Sequence, residues 1–375
     1  MKITCKQQDL SRGLSIVGHA VSSRSTLPIL ANILLSAEHG RLKLSATNLE
    51  IAITCWIDAE VSTEGKTTVP AKIFTDLVSS LGSAPVEISV ADETNVLHIK
   101  SQRSSGTIKG MDPSEFPQIP GVEGNETPII LDATLLKEMI SQVTIAAAED
   151  DSRPVLLGVH AEVKDEKLTF AAADSFRLAV RVADLAGHEE HHEPILIPAR
   201  TLTELARILP SEGAVQMIVT PNRSQVLFHS DQMDLVSRLI EGTFPNFWGI
   251  IPKEHTTRAV VETKEFAAAV RSVMPFARDS SNITRVKVNG DEGGTLTLEA
   301  TAEDVGSNVS TISAAVDGPE QQVIFNARYL SDVLSVIGTP EVSLEIISSS
   351  RPGLIKPVGG SGEYFYVIMP MSSNR

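Results

Sequence analysis

Val69-Pro70-Ala71-Lys72, Ile197-Pro198-Ala199-Arg200 and Phe325-Asn326-Ala327-Arg328 are three versions of one four-residue block, set 128 positions apart. Glu115-Phe116-Pro117 and Thr243-Phe244-Pro245 repeat at the same offset. Solenoid units run to tens of residues, so a period of this size is that of a whole domain. The 375-residue chain therefore reads as one domain written three times, over residues 1–121, 122–250 and 251–375. The boundaries near Pro120–Thr127 and Pro252–Thr257 are polar and turn-rich.

Working outward from the block fills in the unit. Lys2–Cys5, Pro128–Leu131 and Arg258–Val261 are short strand-like runs, each followed by an amphipathic helix pattern. The apolar stripes are Leu10, Leu14, Val17 and Val21, then Leu136, Met139, Ile140 and Val143, then Phe266, Ala269, Val270 and Val273. Arg41–Ala46, Lys167–Ala172 and Thr295–Ala300 are matching strand-like segments, each preceded by turn residues. The block itself opens a second helix in each third. Ile73, Phe74, Leu77, Val78 and Leu81 give the first apolar face, Leu202, Leu205, Ala206 and Leu209 the second, and Leu330, Val333, Leu334 and Ile337 the third. Gly82, Pro210 and Gly338 are the stops. Each third predicts strand–helix–strands–helix–strands, an α+β class in which two helices bury their stripes on antiparallel sheets.

A hydrophobic content of 42% is that of a globular protein. No run of about 18 apolar residues predicts a membrane-spanning helix, and Met1–Cys5 lacks the apolar stretch of a signal peptide. Cys5 and Cys55 sit in apolar, strand-like surroundings and read as buried reduced thiols, which points to the cytoplasm.

The net charge of −15 argues against nucleic acid as a partner until its distribution is considered. The thirds carry net charges of −1, −10 and −4, so the acidity is concentrated in the middle. Lys72, Arg200 and Arg328 meanwhile hold one position of the repeated helix start, and Arg207 follows Arg200 two turns later on the same face. Lys264, Arg271 and Arg278 form another row at intervals of seven. With 4% aromatics there is no stacking platform for single strands, and no recognition helix is evident. The chemistry that remains is sequence-independent contact with phosphates.

Catalysis finds no foothold. His188-Glu189-Glu190-His191-His192-Glu193 lacks the spacing of helical metal ligands and reads as a solvated loop. Glu149-Asp150-Asp151 are consecutive carboxylates that point apart. Gly359-Gly360-Ser361-Gly362 has neither the lysine nor the following helix of a phosphate loop and reads as a hairpin turn. No catalytic residue, metal or cofactor is expected. Two other readings stay open on the residues alone: a metal-dependent hydrolase using His188, His191 and His192, and a peptide-binding scaffold without DNA.

Three local motifs carry a resemblance across the whole chain: Arg24-Ser25-Thr26-Leu27-Pro28-Ile29-Leu30, Ala173-Asp174-Ser175-Phe176-Arg177-Leu178-Ala179 and Tyr366-Val367-Ile368-Met369-Pro370-Met371. With the repeated blocks, in order and at near-identical spacing, they resemble the bacterial DNA polymerase III beta-subunit, or sliding clamp, family. The resemblance implies three tandem clamp domains and a head-to-tail homodimer closed into a ring. Helices then line the hole, duplex DNA passes through it, and no reaction is catalysed. DNA contacts carried over are Arg24, Lys72, Arg153, Arg200 and Arg207. The resemblance also implies a peptide pocket shared by the polymerase III alpha subunit, the clamp loader, other polymerases and repair proteins. It matches Leu156, Ala173, Ser175, Phe176, Arg177, Leu178, Pro245 and Ile250, and continues through Asn326, Tyr329, Val367, Met369, Pro370 and Met371.

Three departures stand out. Ala173-Asp174-Ser175-Phe176-Arg177-Leu178 replaces the family's common Thr-Asp-Gly-His-Arg-Leu, which makes the pocket wall more apolar. Pro154-Val155 replaces an aromatic pair, and the tail ends Met371-Ser372-Ser373-Asn374-Arg375. Val273, Met274 and Phe276 are candidates for the dimer edge.

Overall fold

The structure, a computed structural model, describes residues 1–22, 25–90, 95–119, 127–185, 192–278, 280–291, 293–360 and 362–372. Six α-helices appear among them, two in each third: α1 (Gln7–Gly18), α2 (Ala71–Ser80), α3 (Ala133–Thr144), α4 (Ala199–Ile208), α5 (Thr263–Arg278) and α6 (Ala327–Val336). The repeated block therefore straddles a strand end and a helix start in all three copies. Pro70 precedes α2 with a φ of −55° and no capping side chain. Asn326 caps α6 by accepting from the Arg328 N–H at 2.9 Å. The three helices end two residues before Gly82, Pro210 and Gly338.

The stripes are buried as the spacing predicts. Leu10, Leu14 and Val17 of α1 have no meaningful exposure, nor do Leu136, Met139, Ile140 and Val143 of α3 or Phe266, Val270 and Val273 of α5. Each such side chain contributes about 1.5–3 kcal/mol relative to the exposed state. Three expectations need correction. Val21 lies three residues beyond the end of α1 and is half-buried, because the helix stops at Gly18 before the stripe reaches it. Ile73 is 58% exposed, because a ten-residue helix on a sheet has room for only one stripe, here Ala71, Phe74 and Val78. Val273 lies in the core beneath α5, so it is unavailable to a dimer edge, whereas Met274 and Phe276 are half-buried.

The chain forms two compact units that do not follow the thirds. The first holds Met1–Ala133 and Arg207–Leu239. Its sheet has twelve strands among the described residues. The long strand Ile51–Thr63 takes Lys2–Cys5 as one neighbour and Met233–Arg238, from the middle third, as another. The second unit holds Thr134–Ala206 and Ile240–Arg375. In it Arg177–Asp184 pairs with Glu363–Ile368, so one nine-stranded sheet again carries strands of two thirds. A four-stranded sheet, Ile283–Asn289 with Thr295–Ala302, Gly306–Ser313 and Gln321–Asn326, completes this unit. All strand pairings among the described residues are antiparallel.

Gly353–Val358 and Glu363–Ile368 pair antiparallel, with Gly359, Gly360 and Gly362 between them. Gly362 has a φ of 72°, and a Cβ there would lie 2.2 Å from Arg181 Nη1. Cys5 and Cys55 are buried free thiols, pushed up to about 12 and about 11 by desolvation.

Candidate functional site

The strands Lys167–Ala173 and Arg177–Asp184 are joined by a three-residue turn. Asp174 organises it: its Oδ1 accepts from Phe176 N at 2.9 Å and Arg177 N at 3.1 Å, while its own N–H reaches Arg177 O at 3.2 Å. Ser175 takes a φ of 91°, a conformation that suits glycine. The turn holds Phe176 outward, 59% exposed. Phe176 O accepts from Met369 N at 2.8 Å, which fixes a second exposed apolar side chain beside the first. Met371 N continues the tie, donating to Ile324 O at 2.8 Å beside the Asn326 cap.

Arg177 points the other way and is buried. Its Nε donates to Asp174 Oδ2 at 2.9 Å and its Nη1 to Asp332 Oδ2 at 2.5 Å. The guanidinium lies over the Tyr329 ring, 4.3 Å from its centre. Tyr366 donates its hydroxyl to Tyr329 O at 3.2 Å. Burial disfavours the charge on Arg177, but Tyr366, Asp332 and Asp174 outweigh it and raise its pKa. Burial likewise pushes Tyr366 up. The guanidinium thus joins the turn to α6 and positions the surface rather than presenting itself to a ligand.

Leu156, Leu178 and Val367 are brought together in one buried apolar cluster with Leu354, Phe244 and Phe247, and Ala173 packs at its margin. Pro245 and Ile250 are exposed on the loop that carries Phe247, and Ile250 N donates to Phe247 O at 3.0 Å. Trp248, 5.0 Å from Phe247 between ring centres, is exposed beside them. His160 packs on Phe244 and Phe247 at 5.7 and 5.4 Å. Burial lowers its pKa, against an opposing pull from Glu162. Sequence reasoning missed Asp332, Phe247, Trp248 and His160. Only Trp248 left a signal, as one of two tryptophans, three residues after Pro245.

Lys72 and Arg200 are exposed at the first turns of α2 and α4, and Arg207 is exposed at the last turn of α4. Arg328 holds the equivalent place on α6 and pairs with Glu149 at 3.6 Å. Arg153 reaches Asp174 O at 3.5 Å, which sets it against the turn that carries Phe176. Arg24 and His188–His191 lie outside the described residues. Asp150 accepts from Ser152, whose bonds lower its pKa, so the acidic trio reads as a solvated loop. No cluster of three metal-ligating side chains occurs among the described residues, and no helix there is long and apolar enough to cross a membrane.

Residues 1–120 match the N-terminal domain of the DNA polymerase III beta subunit, residues 130–246 its central domain and residues 249–372 its C-terminal domain. A beta sliding clamp of Synechocystis is 32% identical, the match covering 99% of both chains. That of Bacillus subtilis is 31% identical over 95% of this chain and 96% of its own. The crystal structure of the Bacillus subtilis clamp superposes with a TM-score of 0.92 at 29% identity, covering 100% of this chain and 99% of that one. A Pseudomonas aeruginosa clamp solved bound to griselimycin gives 0.91 at 26% identity over 99% of each. Three tandem clamp domains, matched end to end, place the chain in the bacterial DNA polymerase III beta-subunit family, the sliding clamps.

Proposed function

We propose that two copies of this chain close head to tail into a ring that encircles duplex DNA and slides on it. Each copy then contributes three domains, 1–121, 122–250 and 251–375. The ring tethers the polymerase III alpha subunit, the clamp loader and other polymerases and repair proteins through the surface around Phe176 and Met369. It catalyses nothing itself. The observation that carries the DNA half is the exposed cation at one helix position in all three copies, Lys72, Arg200 and Arg328, in a chain of net charge −15. Topological retention needs only weak, sequence-independent phosphate contacts, and these allow sliding. The peptide half is supported by exposed Phe176 and Met369 at the edge of a rigid apolar cluster, where an adaptable methionine suits several anchors.

Retention on circular DNA tests the ring. Loaded protein should stay on closed circles and leave once they are cut. Release at equal rates from circles and linear duplex would overturn the ring. Changing Arg200 and Arg207 together to Glu should weaken DNA contact with a smaller salt dependence, by about two units of the log–log slope for each subunit's pair of contacts. An unchanged slope would remove these residues from the interface.

A further inference from the structure

The sheet of the first unit has a second functional-looking face. Alternation along its strands turns Leu42 and Leu44 toward α1 and Lys43 and Ser45 away from it. On the face away from α1, cross-strand register sets Lys66, Ser36, Lys43 and Trp56 in one row over four adjacent strands. The next row is Leu34, Ser45, Thr54 and Asp234. Phe116 and Ile119 wall one side, leaving a groove of about 290 Å³.

The polar atoms of this groove are unevenly satisfied. Ser45 Oγ and Thr54 Oγ1 bond each other at 3.1 Å, and Asp234 is engaged by His229 at 2.6 Å. Ser36 is 4% exposed, and its Oγ has no hydrogen-bond partner. Buried hydroxyls are normally paired, and this one lines the groove unpaired. Its two cross-strand neighbours are both lysines. Lys43 Nζ stands 5.9 Å from the centre of the Trp56 ring. An anion over Ser36 would lie between two ammonium groups, with the Asp234 carboxylate that Lys43 also faces one row away, and with the indole and the Phe116 wall beside it for an apolar group. The volume is below that of a typical cofactor pocket and suits one or two side chains.

We propose that this groove docks a two-residue anchor of a partner polypeptide, an acidic residue followed by an aromatic one. Charge complementarity selects the acid, and the Trp56–Phe116 wall selects its neighbour. The site is separate from the surface around Phe176 and does not depend on it.

The chain has two tryptophans, and only Trp56 lines the groove. Fluorine NMR of the full-length, fluorotryptophan-labelled protein therefore reports on the groove, with the lines assigned through Trp248→Phe and a lysine-to-glutamine variant separating it from the cleft beside Arg12 and Arg41 that Trp56 also borders. N-acetyl-Glu-Phe-amide should shift the Trp56 line saturably, with a Kd of about 1 mM. N-acetyl-Gln-Phe-amide should bind about tenfold more weakly. The double variant Lys43→Gln, Lys66→Gln should erase that difference, with its Trp248 line in the absence of peptide checking that it is folded. A Trp56 line unmoved at about 10 mM peptide overturns the proposal. So does equal affinity for the two peptides, or discrimination that survives in the double variant. Phenylacetate binding as tightly as the Glu-Phe peptide would assign the groove to small carboxylates and overturn the polypeptide anchor.

Discussion

The turn at Asn48–Glu50 and the turn at Asp174–Phe176 occupy the same place in two copies of the repeat, yet only one is tied to a second element of the fold. In both, a side-chain oxygen accepts from the next two amides but one: Asn48 Oδ1 from Glu50 N at 3.0 Å and Ile51 N at 2.8 Å, Asp174 Oδ1 from Phe176 N and Arg177 N. Both then place a non-glycine residue at positive φ, Leu49 at 74° and Ser175 at 91°. The backbone is shared and the chemistry is not. Asn48 is neutral, and Ile51 stands where Arg177 stands in the other turn. Asp174 is charged and grips Arg177, which in turn reaches Asp332 and Tyr329 on α6. A local turn becomes part of the tertiary framework when its cap also holds a buried cation to a second element.

The comparison breaks most visibly at Asp174. Asp174→Ala removes two backbone acceptor contacts and strips a buried guanidinium of one of its two carboxylates, a loss of about 3–5 kcal/mol locally. Asn48→Ala removes only neutral hydrogen bonds, about 1–2 kcal/mol. Amide hydrogen exchange along Arg177–Asp184 and Ile51–Thr63 reads each loss in place, which matters in a chain too large for two-state unfolding. Equal losses at the two turns would mean that the charge adds nothing. The next effect concerns Arg177 and Asp332. A double-mutant cycle of Arg177→Met and Asp332→Asn should give a coupling of about 2 kcal/mol in the affinity for a partner peptide. Additive losses would show that the pair does not position the surface. The smallest effect is backbone relief. Ser175→Gly should stabilise the turn by about 0.5–1 kcal/mol, and Leu49→Gly by less, in urea unfolding followed by exchange. Destabilisation by Ser175→Gly would mean that the positive φ carries no strain.

Much of this architecture was legible in the sequence because periodicity is local. The 128-residue offset located all three second helices, and the stripes of α1, α3 and α5 named core residues correctly apart from Val21. Ile73 misled because five apolar residues crowd a short helix whose sheet-facing stripe is narrower. The sequence offered Arg177 as a candidate for the pocket surface and did not show it to be buried. Its burial depends on Asp332, 155 positions away, and no local pattern records that pairing. The strand partnerships between thirds were hidden for the same reason: alternation tells which face a residue takes, not which strand lies alongside. The packing of His160 on Phe244 and Phe247 likewise joins positions that nothing nearby in the sequence connects.

The run of Met233–Ser237 against Cys55–Ile51 has a practical corollary for anyone cutting the gene. A fragment ending at residue 121 would keep its helices and lose the strand that covers five residues of its longest ribbon, leaving naked amides there. Such raw borders invite fibrillar self-association. The periodic segment, though copied three times, is therefore not a module that excises cleanly.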